Sequence, residues 1–193
     1  MGKKEILSEI IDWIKTIFLS LLLAFFILQL IRPTLVNGQS MDSTLKDGDF
    51  IIINRNSYMF SSPSRGDIIV FRSDFDEEVK SSIFKKILTG EYNDKKNLVK
   101  RVIGVGGDKI KIHNKRVYVN NKLIDEKYLN KENINNTEGE MDIVVPKGKV
   151  FVLGDNREVS LDSRYESVGF INVSDIVGKP FIRLFPFNKI KLI

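Results

Sequence analysis

The chain of 193 residues has no cysteine and a single histidine, and those two scarcities narrow its chemistry first. Without cysteine there are no disulfides, thiolate metal sites or thiol nucleophiles, although the cellular compartment stays open. Hydrolytic zinc sites draw two or three ligands from His and Cys, so one His113 nearly excludes that class. A Ser-His-Asp triad would have to use the same residue. His113 lies in "DKIKIHNKRVYVNN", where Ile110, Ile112, Val117 and Val119 alternate around a polar Asn114-Lys115 turn. That pattern predicts a β-hairpin with His113 exposed beside its tip, a poor place for catalysis. Clustered basic residues are also scarce. The net charge of +5 is spread along the chain, and Lys85-Lys86 and Lys95-Lys96 are too sparse for a nucleic-acid surface. No cofactor and no nucleic-acid partner are expected, and a monomer is the default. At 42% hydrophobic and 28% charged, the composition suits one well-buried domain with at most a small appendage.

Polar residues are missing from one long run. Residues 14–31, "IKTIFLSLLLAFFILQLI", are apolar apart from Lys15, Thr16, Ser20 and Gln29. Eighteen residues lie at the short end of what spans a bilayer. Trp13 and Lys15 before the run and Arg32 after it suit interfacial anchoring. A buried core helix would show a polar face, and none appears over Ile17–Leu28. A cleaved signal peptide would show an A-x-A site, and the nearest small-residue pair, Val36 and Gly38, abuts Ser40. The expectation is a retained transmembrane signal-anchor at 14–31, after a cytoplasmic segment at 1–13. A β-rich domain at 35–193 would then lie outside the cytoplasmic membrane. The charges around the run bear only weakly on orientation.

Beyond residue 34, short apolar runs are bounded by Gly, Pro, Asn or Asp. They predict strands at 49–55, 66–72, 98–105, 141–146, 149–155 and 175–185, with hairpins over 109–125. Helical periodicity is confined to the anchor, its lead-in (Lys4–Trp13) and Val79–Leu88. Residues 73–97 and 126–140 are polar and turn-rich, and are expected as loops. "NSYMFSS" (56–62) is a polar loop whose apolar tip, Tyr58-Met59-Phe60, could dip into a membrane interface.

The loop "NGQSMDSTLKDGD" (37–49) places Ser40 among small residues. If Ser40 is a nucleophile and histidine is out of reach, its base must be a lysine. Free lysine titrates near about 10.4 and is protonated at neutral pH, but burial disfavours the charged form. Two lysines sit in apolar runs: Lys100 in "NLVKRVIGVGGD" and Lys179 in "IVGKPF". Strand neighbours face opposite ways, so Lys100 and Arg101 should not both point inward. Guanidinium cannot serve as a base, which favours Lys100 as the inward one. For either lysine the alternative is a side chain reaching water from a sheet edge.

Four segments in order resemble the type I signal peptidases, membrane-anchored Ser-Lys proteases that remove signal peptides from exported proteins. The family's serine box, S-M-x-P-T-L, corresponds to "SMDSTL" (40–45), and a second box to "RGDIIVFR" (65–72). The lysine box, K-R-V-I-G-x-P-G-D, corresponds to "KRVIGVGGD" (100–108). The last box, G-D-N-x-x-x-S-x-D-S-R, corresponds to "GDNREVSLDSR" (154–164). With the N-terminal anchor, the resemblance spans nearly the whole chain.

That resemblance implies Ser40 as nucleophile and Lys100 as general base, with Ser160 hydrogen-bonded to the lysine amine. It implies a structural scaffold of Asp155, Arg157, Asp162, Ser163 and Arg164, one of whose carboxylates pairs with Arg101. The oxyanion would meet the Ser40 backbone N–H. Some relatives supply a second donor from a hydroxyl at the position of Gly38, where this chain can offer only a backbone group or water. Val36, Leu45 and Val99 are candidate pocket walls for small substrate side chains. The implied fold is mainly β: a transmembrane helix, then a compact all-β protease domain. Its second β-subdomain would be minimal, as in the shorter Gram-positive forms. Partners would be emerging preproteins and the lipid bilayer of a bacterial plasma membrane. Ser43 and Gly106 replace two family prolines, a loss of rigidity rather than of chemistry. Other readings are a self-cleaving repressor-type Ser-Lys protease, which would need a DNA-binding module, and an inactive tethered β-domain that binds export substrates.

Overall fold

Residues 3–30 contain neither proline nor glycine, and they form one unbroken helix, α1 (Lys3–Leu30). The amphipathic lead-in and the apolar run are therefore a single element. Its stretch Ser8–Ile27 is 20 residues long, apolar enough to cross a membrane, and unburied by the rest of the protein. The hydroxyls of Thr16 and Ser20 donate to the carbonyls of Asp12 and Thr16 at 2.8 Å, so these polar groups are satisfied within the helix. The helix stops just before Arg32-Pro33, because a residue preceding proline is driven out of the α region. This computed structural model describes residues 2–76 and 95–193. The helix expected at Val79–Leu88 lies outside the described residues.

The next residues, Ile31–Leu35, form strand β1, which the sequence pattern missed because it contains Pro33. A strand with an internal proline belongs at a sheet edge, and β1 is at one. The remaining strands are β2 (Phe50–Asn54), β3 (Ile68–Asp76), β4 (Lys95–Val105), β5 (Lys109–His113), β6 (Arg116–Val119) and β7 (Lys122–Leu123). They continue with β8 (Met141–Val144), β9 (Lys149–Leu153), β10 (Ile171–Asn172), β11 (Ile176–Phe185) and β12 (Lys191–Leu192). The larger sheet runs β1-β2-β11-β3-β4-β9-β10, with β12 beside β11, and the smaller runs β7-β6-β5-β8. Strands β3 and β4 reach further into 73–97 than expected, with Asp76 opposite Lys95. Residues 126–140 contain no strand or helix, as expected.

Apolar runs rather than clean alternation mark β2, β3 and β9 because both faces of the larger sheet are covered. Ile68 and Val70 pack into one core with Val36, Met41, Leu45, Ile51 and Ile53. Their strand neighbours Ile69 and Phe71 pack into another with Val102, Val150 and Val152. Ile103 faces the other way from Val102 and joins a third core, and a bulge between Val102 and Gly104 then switches β4's alternation, so that Val105 returns to the second. That core also holds Ile110, Ile112, Val117 and Val119, the four residues expected to line the inner face of the hairpin. The hairpin turns at Asn114-Lys115 and Asn120-Asn121 have positive φ at both central residues, the signature of turns that match strand twist.

Phe151, fully buried in this third core, meets Phe170 edge-on with ring centroids 6.3 Å apart. Phe151→Ala should therefore cost about 3–5 kcal/mol of stability. Thermal unfolding of the detergent-solubilised protein checks this.

Candidate active site

The serine turn is closed from both ends. The Val36 N–H donates to Asp49 O at 2.8 Å, and the Gly48 N–H donates to Val36 O at 2.9 Å. Inside it, the N–H groups of Thr44 and Leu45 both reach Met41 O at 2.8 Å. Met41 and Leu45, four residues apart on this helical turn, are buried in the core beneath it. Burying that face leaves Ser40 half-buried at the rim.

Lys100 comes from β4, where it stands opposite Ile69 of β3 and is only 2% exposed. Its Nζ lies 2.7 Å from Ser40 Oγ and donates to Val99 O at 3.1 Å. Burial of this kind disfavours an ammonium relative to a neutral amine. Arg101, opposite Ile68, turns to the other face of the strand. The alternation holds, but the expectation that only one of the two could be buried does not. Arg101 is buried as well, because the second face is also covered.

Arg101 grips Asp155 in a bidentate pair, Nε to Oδ1 at 2.8 Å and NH2 to Oδ2 at 2.7 Å. Its remaining donors reach Gly66 O at 2.9 Å and the Thr44 hydroxyl at 3.2 Å. The Thr44 hydroxyl donates in turn to Asp155. Burial alone would lower the guanidinium's proton affinity, but the Asp155 carboxylate outweighs it and holds Arg101 firmly charged. Asp162 repeats the device one turn on. It accepts from Arg164 Nε at 2.8 Å and from the Gly154 N–H at 3.1 Å. Ser163 and Val152 exchange hydrogen bonds of 3.0 and 3.1 Å, fixing the loop to β9. Arg157 is buried against Gly154 O, Thr137 and Glu126. The last box is thus a scaffold, as expected, and the Asn156 N–H fastens it to Ser40 O at 3.0 Å.

Several expectations change. Ser160 Oγ is buried and has no hydrogen-bond partner among the described residues, so the expected bond to Lys100 is not formed. The hydroxyl is still at the site: a Cβ placed on Gly154 would lie 2.1 Å from Ser160 Oγ and 2.5 Å from Ser40 O. Gly38 is not a free oxyanion donor, because its N–H donates to Asp47 Oδ1 at 2.7 Å. The Ser40 N–H, by contrast, has no acceptor among the described residues. Val36 and Leu45 are core rather than pocket wall, with Leu45 wholly inaccessible, while Val99 is half-buried against the same cluster. Lys179 is no base. It is ion-paired to Asp67 at 2.6 Å, and although burial pushes that carboxyl up, the Lys179 contact helps hold it below the usual range. His113 is exposed at the hairpin tip, 2.8 Å from Glu140. Thr44, Asn156, Glu126 and Tyr128 were missed as contributors. Thr44 lay inside the serine box, whereas Glu126 and Tyr128 lie in a loop whose polarity gave no sign of their burial.

Fold and site together describe a mainly β protein in which a serine hydroxyl meets a buried amine. The family model for signal peptidase, peptidase S26, matches residues 10–185. Signal peptidase IB of Staphylococcus aureus is 36% identical over 95% of this chain and 94% of its own length. Signal peptidase I P of Bacillus subtilis subsp. natto is 38% identical over the same shares. A crystal structure of a signal peptidase I from Enterococcus faecalis V583 matches 62% of this chain and 97% of its own, at 28% identity and a TM-score of 0.47. The chain belongs to the signal peptidase family of peptidases.

Gly154 generates a prediction. Its missing side chain lets the last loop close on the serine turn, and Gly154→Ala would force them apart. A displacement of about 1 Å at a reacting centre costs about 10²-fold in rate. The variant should lose about that much peptidase activity while still folding, as read by preprotein cleavage alongside circular dichroism.

Proposed function

We propose that this chain is a membrane-anchored serine endopeptidase that removes N-terminal signal peptides from exported preproteins, with Ser40 as nucleophile and Lys100 as general base. The observation that carries this reading is the 2.7 Å approach of the buried Lys100 amine to Ser40 Oγ. That distance lies within reach for direct proton transfer. Neutral Lys100 takes the Ser40 proton as Oγ attacks the scissile carbonyl. The resulting oxyanion is met by the Ser40 N–H. The Lys100 ammonium then protonates the departing amine, leaving an acyl ester on Ser40. Water, deprotonated by Lys100, hydrolyses that ester and restores the enzyme. A histidine would serve this role at its ordinary pKa; a lysine serves only where its surroundings favour the neutral form.

The anchoring part rests on α1 and on the family's membrane-bound character. In the proposed topology the N-terminus is cytoplasmic and the β-domain faces outward. Tyr58 is not part of an apolar tip, since its hydroxyl donates to Asp67 at 2.9 Å and fastens the loop. Met59 and Phe60 are exposed, Phe60 at 95%, and suit insertion at the interface.

Two tests follow. Incubation of the purified protein with a preprotein, with the cut mapped by mass spectrometry, should show one cut after the signal segment. Ser40→Ala and Lys100→Arg should fold and lose about 10³-fold or more in rate, while His113→Ala should stay near wild type. Activity should rise with pH toward an alkaline optimum as Lys100 loses its proton. Retained activity in Lys100→Arg with loss in His113→Ala would sink the lysine mechanism. For topology, spheroplasts should leave the β-domain open to added protease, and a fluorophore at Met59 should respond to liposomes. A shielded domain or a silent probe contradicts the corresponding part.

A further inference from the structure

Ser43 stands where the serine box of the family carries proline, and its side chain has a definite task in this fold. The Ser43 hydroxyl donates to Tyr128 O at 2.9 Å, joining positions 85 residues apart. Its own N–H has no acceptor among the described residues, so the position demands a tether rather than a backbone donor. The Tyr128 ring lies against Arg101, with the guanidinium carbon 4.0 Å from the ring centroid. The Tyr128 hydroxyl donates to Glu126 at 3.1 Å, and Glu126 holds the buried Arg157. Further along, Asn133 Oδ1 accepts from the Arg157 N–H at 2.8 Å, and Thr137 meets the same guanidinium. One irregular segment therefore touches the serine turn, the strand that bears the lysine, and the last loop.

We propose that residues 126–137 form a strap that positions the reacting pair, and that the Ser43–Tyr128 hydrogen bond supplies the rigidity a proline would otherwise give the serine turn. The inference rests on the reading of Ser40 and Lys100 as that pair. A proline would fix φ three residues after the nucleophile. Serine leaves φ free, and a hydrogen bond to a carbonyl that is itself held removes the freedom another way. The Tyr128 carbonyl is held because its ring packs on Arg101, which Asp155 locks. Arg101 adjoins Lys100 in β4, so the turn and the base are indexed to the same strand. Ser43 and Tyr128 touch no substrate in this scheme; they are positioning residues.

The test uses the full chain in detergent micelles with a preprotein substrate. Ser43→Ala should lower kcat by about threefold to tenfold, as loss of one hydrogen bond implies, and leave KM within about twofold. Ser43→Thr keeps the hydroxyl and should recover wild-type kcat. Tyr128→Phe, which keeps the ring on Arg101, should lose less than Tyr128→Leu. The double variant Ser43→Ala/Tyr128→Leu should lose less than the product of the two single losses, since both loosen one strap. Amide hydrogen exchange across 126–137 should quicken in Ser43→Ala whether or not the enzyme is turning over. Wild-type kcat in Ser43→Ala, a change confined to KM, or unaltered exchange in the strap would overturn the proposal. If instead Ser40→Ala remained active, the dyad would be wrong, and exchange alone would still judge the strap.

Discussion

The bidentate pair between Arg101 and Asp155 is the contact on which the rest of the site depends. One planar guanidinium joins β4, the loop after β9, the carbonyl of Gly66 and the Thr44 hydroxyl of the serine turn. Its face is covered by Tyr128. Lysine could not replace it, because a rotating ammonium offers neither the fork nor the stacking plane. Removing one partner of such a pair strands a buried charge, and the usual cost is about 3–5 kcal/mol. The loss here would also be geometric, since the segments that carry Ser40 and Lys100 are tied to that side chain or to its strand neighbour.

Burying so many charges in a loop without regular structure requires that each be answered locally. Arg157 faces Glu126, Arg164 faces Asp162, and backbone groups of Gly154, Val152 and Ser160 take the remaining bonds. In place of a ladder, side chains satisfy the backbone, and a fully satisfied network is stiff. Ser160 is the exception. Its hydroxyl is buried with no hydrogen-bond partner among the described residues, and an orphan polar group of this kind costs about 1–3 kcal/mol. Gly154 leaves room for it, since a Cβ there would lie 2.1 Å from Ser160 Oγ and 2.5 Å from Ser40 O. The role expected of Ser160, orienting the base, is therefore not made in the resting arrangement. It is kept within reach of the site.

What could be read from the sequence divides along a physical line. Strands with apolar runs, the hairpin over Ile110–Val119 and the long helix were legible because their periodicity reflects burial directly. Strand β1 was not, because Pro33 argues against a strand unless one knows it lies at an edge. Lys100 and Ser40 were singled out by the scarcity of other bases and by four boxes in order, and the fold brings their side chains to 2.7 Å. The partners of Arg101 were legible only in part: a carboxylate in the last box was expected, while Thr44 and Tyr128 were not. A polar loop reads as solvated until the side chains that cover it are placed, and Glu126 and Tyr128 sit in such a loop. Gly38 misled for a related reason. It stands where some relatives carry a hydroxyl, so a backbone donor was expected there, but Asp47, nine residues on, has taken its N–H.

Adjacent lysine and arginine in the middle of β4 look redundant until the two faces of the sheet are considered. A strand buried on one side would send one of them to water, and the chain would keep either a base or a strut. Here both sides are covered: Lys100 stands opposite Ile69 and Arg101 opposite Ile68, which pack into different cores, and both charged residues are buried. On one side the Lys100 amine comes within 2.7 Å of the Ser40 hydroxyl. On the other a group that cannot lose its proton is held charged by Asp155. The same two-residue step thus provides a contact to the serine hydroxyl and a charged strut, displaced by a single rise of the strand. Any movement of β4 shifts both together. The partners of Arg101 therefore help to fix the distance between Ser40 and Lys100.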